Sequence, residues 1–152
     1  MIEQMRVLDW MLEVDKDATR TAYDRLPIIT CTCTCTYCRN YLAAVPLLPK
    51  DLLAVCNSLA INPTKAAEVW EVTDADGTHL YGGWYHLVGK IVTSKNGGLL
   101  QIGATRLLSN HFTVTFTNQV AMVPEDFPTP VLQMEFTGKV PWVLEEPPEP
   151  EE

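Results

Sequence analysis

A chain of 152 residues that is 47% hydrophobic and 20% charged is long enough for one domain with its own core and too apolar to stay a disordered polymer. Its net charge of −8 at pH 7 and the scatter of its 11 Lys and Arg residues argue against a surface that tracks phosphates, so no nucleic-acid partner is expected. No apolar run reaches the ~18 residues of a membrane span, and residues 1–6 lack a basic-then-apolar leader pattern, so a cytoplasmic protein without a membrane role is the simplest expectation.

Val7 to Val14 mixes apolar and acidic side chains in the manner of an opening strand. Asp15 or Asp17 can then cap a short helix through Thr19, Ala22 and Leu26, which Pro27 ends. Ile28 to Thr36 is β-branched at Ile28, Ile29, Thr30, Thr32, Thr34 and Thr36, which predicts an extended chain. On such a strand Cys31, Cys33 and Cys35 share one face and the threonines the other. From Cys38 the pattern turns helical and breaks at Pro46. A second helix is expected from Pro49, as its first residue, to Ala60. Its stripe of Leu52, Val55, Cys56 and Leu59 places Cys56 in the core.

Beyond Asn62-Pro63 the chain reads as strands. Ala67 to Thr73 and Thr78 to Thr93 flank an Asp74-Ala75-Asp76-Gly77 turn. Asn96-Gly97 is a hairpin signal, Leu99 to Leu108 returns, and Ser109-Asn110 turns into the alternating strand His111 to Thr117. Val131 to Phe136 and Val140 to Leu144, joined at Thr137-Gly138-Lys139, predict a last hairpin. Helices early and strands late, with no βαβ alternation, give an α+β fold: short N-terminal helices packed on an antiparallel meander sheet. The expected domain is residues 1–144. Residues 145–152, an acidic Pro/Glu tail holding five of the 19 acids, are expected to be disordered and solvated.

The strongest chemical signal is Cys31-Thr32-Cys33-Thr34-Cys35-Thr36-Tyr37-Cys38, four of the five cysteines in eight residues. Packing needs no such density, and an odd cysteine count in a reducing compartment favours a metal or free thiols over a disulfide framework. Zinc takes four ligands in a tetrahedron at about 2.3 Å from sulfur, so thiolates that share it must converge to about 3.7–3.8 Å. Cys35-Thr36-Tyr37-Cys38 has the knuckle spacing and Cys33 can add a third sulfur. The fourth ligand would be Cys31 or a histidine. His79 and His86 are seven apart and face opposite sides of a regular strand, unless a bulge at Gly82-Gly83 brings both to one face. Tyr81, Trp84 and Tyr85 read first as core. Cys-Thr-Tyr-Cys at a helix start also resembles the active-site motif of glutaredoxins and thioredoxins, but the long run of strands after residue 66 does not supply that fold's alternation.

Cys33 to Asn40, Asn62 to Val69, Gly82-Gly83-Trp84-Tyr85-His86 and Pro141 to Pro147 together resemble a family of bacterial proteins with no assigned activity. The likeness runs from residue 30 to residue 147 and implies kinship but no reaction. The doubled Thr-Cys unit that adds Cys31 is peculiar to this chain and leaves Cys31 the least supported ligand. The functional expectation is a small binding or interaction protein with a structural zinc site on Cys33, Cys35 and Cys38. The alternative is a thiol- or metal-dependent enzyme acting on a small molecule, with the cluster near the His79/His86 strand. The partner is an unidentified protein or small molecule, and nothing in the sequence excludes an oligomer.

Overall fold

The computed structural model describes residues 1–31, 33–92, 105–107 and 112–150. The chain opens on a hairpin of β1 (Ile2–Val7) and β2 (Trp10–Asp15). The stretch expected as one strand therefore holds a turn at Leu8-Asp9, with Leu8 at a φ of 54°. Trp10, Leu12 and Val14 alternate into the core. Asp15 ends β2 and caps α1 (Lys16–Arg25), its carboxylate accepting from Ala18 N at 3.0 Å. That bond holds the Asp15 carboxyl below its ordinary range.

The segment that follows is not a strand. Ile29–Cys31 forms a 3-10 turn. Ile29 N donates to Thr64 O (3.0 Å) and Cys33 N donates back to Ile29 O (3.2 Å). With those backbone groups taken up locally, the β-branched residues have no ladder to join, and context overrides their preference. α2 (Thr36–Ala44) and α3 (Lys50–Ser58) follow, Pro49 standing as the cap of α3.

The spine of the sheet is β4 (His79–Ile91), thirteen residues long. β7 (Val131–Lys139) pairs with one edge of it from Leu80 to Val88. The other edge is shared: β3 (Glu68–Thr73) takes residues 79–84 and β2 takes residues 89–91. β6 (Thr113–Thr117) pairs with β7, and β5 (Thr105–Leu107) with β6. Every pairing is antiparallel, and the order is β1-β2-β4-β7-β6-β5 with β3 also beside β4. The fold is α+β, with three α-helices and an open antiparallel sheet among the described residues. Strands β5 to β7 meander, and β7 then returns beside β4 in a Greek-key order that hydrophobic alternation alone does not encode. The Asn96-Gly97 and Ser109-Asn110 turns and His111 lie outside the described residues.

Between the stretches of β4 claimed by β3 and β2, helix α1 takes the place of a strand. Tyr23 OH donates to His86 O at 2.7 Å, and Val88 N donates to Thr19 Oγ1 at 2.9 Å. Two backbone groups that no strand satisfies are thus paired inside the protein. On the helix side of the sheet an aromatic stack forms the core: Tyr41 of α2 lies on Tyr81 (5.7 Å) and Phe136 (5.6 Å).

Gly138, expected in a hairpin turn, lies in a regular strand instead, and Gly82, where only a bulge would have brought both histidines to one face, lies in one too. Gly138 sits inside β7, and a Cβ there would come within 2.4 Å of the Phe112 ring, so the residue makes room for an aromatic. The expected hairpin at Thr137-Gly138-Lys139 accordingly does not form. Gly82 pairs in register with Trp70 and Thr137, with no bulge, and Trp70 covers it. His79 and His86 therefore stay on opposite faces of β4.

The α1 plug gives a stability prediction. Thr19→Val keeps the side-chain shape and leaves Val88 N–H buried without a partner, so it should cost about 1–3 kcal/mol in urea unfolding, while Thr21→Val on the exposed face of α1 should stay within about 0.5 kcal/mol.

Candidate metal centre

Cys35 is the cap of α2. Its backbone is extended (φ −64°, ψ 161°) and its sulfur accepts from Cys38 N at 3.4 Å. A cap sulfur bonded three residues on turns the chain so that Cys35 and Cys38 face each other across the first turn. Cys33 approaches from the 3-10 turn, its Sγ 3.2 Å from Cys35 Sγ. All three sulfurs lie within 4.8 Å of one another, and no other cluster of three or more metal-ligating side chains is found among the described residues. The spacing brackets the separation that a shared tetrahedral ion requires. Cys33 and Cys35 come together in an irregular loop, not by alternation along a strand.

The three sulfurs have unlike surroundings. Hydrogen bonding, first from the Cys38 thiol, draws the Cys33 thiol below its ordinary value. Cys38 is buried, and desolvation pushes its thiol well up. An ion would relieve that penalty, because a metal holds a thiol deprotonated where the apo protein keeps it neutral. Cys56 is 1% exposed, and burial pushes it up to about 12. It belongs to the core, and the backbone of Cys31 ends the 3-10 turn just before the trio.

The C-terminal segment, assigned by composition to a solvated tail, runs back along α2. Thr36 N donates to Glu149 Oε1 (3.1 Å), and Glu149 N donates to Thr36 Oγ1 (2.9 Å). Tyr37 OH donates to Glu149 O (2.6 Å), and Arg39 forms an ion pair with Glu146. Asn40, fully buried, donates to Pro141 O (3.1 Å) and accepts from Val143 N (2.7 Å). Free N–H groups at a helix start and a nearby guanidinium attract carboxylates, which accounts for this course. The residues that grip the segment, 36, 37, 39 and 40, alternate with the cysteines at 35 and 38. Sequence reading missed this partnership; Arg39-Asn40 directly after Cys38 was its only sign.

Neither histidine joins the sulfur cluster. His79 Nδ1 is held by Glu71, and its ring lies on Trp142 at 4.9 Å. His86 is buried on the other face, bonded through Nε2 to Gln133 Oε1 at 3.1 Å, and desolvation lowers its pKa. Both are tied into the sheet by partners of their own. Tyr81 of β4 reaches α2, donating to Tyr37 O at 2.8 Å.

No family model, curated protein or solved structure matches the chain. No helix among the described residues is long and apolar enough to cross a membrane. The described centre is thus a three-cysteine cluster at metal-binding distance, on a loop-to-helix corner of an α+β domain.

Thiol reactivity in the metal-free protein should follow these surroundings. Iodoacetamide is expected to label Cys33 before Cys38, at a pH below the ordinary thiol value of about 8.5, and to leave Cys56 unlabelled until denaturant is added. Early labelling of Cys38 or Cys56 in the native state would contradict the packing.

Proposed function

We propose that the protein is a small binding or interaction protein whose Cys33, Cys35 and Cys38 hold one structural zinc ion, with Cys31 or a water molecule as fourth ligand. The convergence of three sulfurs to within 4.8 Å carries the reading. Thiolate donors suit zinc and exclude the hard cations, which take oxygen. The ion would pin a corner where the 3-10 turn, α2 and the returning C-terminal segment meet, and none of these is part of the sheet. Binding free energy at such a site is folding free energy. Reduced thiols are needed throughout, which agrees with a reducing, cytoplasmic setting. For the interaction half of the reading, Trp70 and Val72 stand exposed on β3. Kinship with the bacterial family that shares the Cys33-to-Asn40 motif is part of the same proposal.

Cys35→Ser removes a sulfur ligand while its hydroxyl can still accept from Cys38 N as the helix cap, so the substitution isolates the metal's contribution. If the zinc is structural, this substitution and chelation of the wild-type protein should lower the melting temperature by similar amounts, about 5–10 °C for a site held at a hundredfold excess over its Kd. Chelation should then do nothing further to the variant. A Cys35→Ser protein that melts like the zinc-loaded wild type would defeat the structural role.

A further inference from the structure

The sulfurs that converge on a metal position are also placed to join. Cys33 and Cys35 sulfurs stand 3.2 Å apart, closer than the roughly 3.7–3.8 Å that two thiolates keep on a shared zinc. A disulfide needs ~2.0 Å, so closing the bond takes about 1 Å of further approach. Cys33 lies outside every helix and strand, and its main-chain tie is one bond to the 3-10 turn, so the approach disturbs no ladder. Both sulfur-bearing residues are part-exposed, whereas Cys38 and Cys56 are 4% and 1% exposed. The pair is reachable from solvent, and of the competing sulfurs that are described, Cys38 and Cys56 are not.

We propose that Cys33 and Cys35 form a dithiol modification site for hydroperoxides, and that their disulfide discharges the bound ion. The Cys33 thiolate attacks one peroxide oxygen. The O–O bond breaks, hydroxide (or alkoxide) leaves and is protonated, and Cys33 becomes a sulfenic acid. Cys35 sulfur then attacks Cys33 sulfur, the S–O bond breaks, and water departs carrying the Cys35 proton. Two electrons pass from the sulfurs to one peroxide. Two thiolates of the cluster are consumed, and Cys38, even if joined by Cys31, falls short of the three protein ligands that hold a zinc ion. The discharge step rests on the zinc reading, while the disulfide step rests on the sulfur geometry alone.

The test exposes metal-free and zinc-loaded wild-type protein to hydrogen peroxide at one equivalent per chain. Intact mass, a metallochromic zinc indicator and alkylation mapping are followed together. The expected result is loss of two hydrogens per chain, with alkylation retained at Cys31, Cys38 and Cys56 and lost at Cys33 and Cys35. Trypsin separates residues 26–39, which hold four cysteines, from residues 51–65, which hold Cys56 as an internal control. One zinc should be released per disulfide, and dithiothreitol should restore binding. Metal-free Cys31→Ser should form the same Cys33–Cys35 disulfide, and Cys33→Ser should form none. Sulfinic acid without a disulfide, or a disulfide through Cys31 or Cys38, would overturn the proposal. Zinc retained after the Cys33–Cys35 bond has formed would overturn the discharge step. If the disulfide forms in a protein that never bound zinc, the metal reading fails and the dithiol site stands. If zinc binds and no disulfide forms, the reverse holds.

Discussion

One hydrogen bond sets the geometry of the site: Cys38 N–H to the sulfur of Cys35. Helix starts are usually capped by an oxygen, from Ser, Thr, Asp or Asn. Here sulfur takes that place, and because a cap side chain reaches the third residue of the helix, the cap bond itself brings Cys35 against Cys38. The 3-10 turn at Ile29–Cys31 then decides where Cys33 arrives. Remove the cap and α2 loses its starting point, so Thr36, Tyr37, Arg39 and Asn40 lose the positions from which they hold the C-terminal segment.

That segment makes the corner a junction. Glu149 and Thr36 exchange hydrogen bonds in the manner of a capping box, with the acidic partner supplied from over a hundred residues away. Trp142 lies between Tyr37 and the His79 ring, linking α2 to the start of β4. The exposed pairs contribute little each, since the ion pair of Arg39 and Glu146 is open to solvent. Asn40 is different: fully buried, it holds both the carbonyl of Pro141 and the amide of Val143, a local bracket that ties the end of the sheet to the helix. An ion among the sulfurs would add a covalent-strength tie where the rest of the junction has hydrogen bonds and ring contacts.

Much of this was legible from residues whose roles are local. Asp15 as a helix cap, Cys56 as a core residue on α3 and the knuckle spacing of Cys35 and Cys38 follow from chemistry within a few positions. What escaped was set by partners distant in sequence. Threonines and isoleucines at 28–36 prefer extended chain, yet Ile29 N is taken by Thr64 O and Cys33 N by Ile29 O, and a turn forms at Ile29–Cys31. Gly138 looks like turn punctuation until Phe112 is seen lying against it. The course of the exposed Pro/Glu segment along α2 is not legible in its composition because its complement, the N–H of Thr36 and the guanidinium of Arg39, is encoded far away in the chain. The histidines were candidates only while a bulge was conceivable, and the unbroken register through Gly82 and Gly83 keeps them apart.

The central claim is that the corner is a metal site. Native mass spectrometry of purified, untagged protein, paired with elemental analysis, tests it most directly. The account predicts one zinc per chain, released on acidification as the thiolates take up protons. A chain that carries no metal after purification and refuses added zinc, with its thiols free, would contradict it. The three sulfurs would then be a reduced thiol cluster that caps a helix and holds no ion.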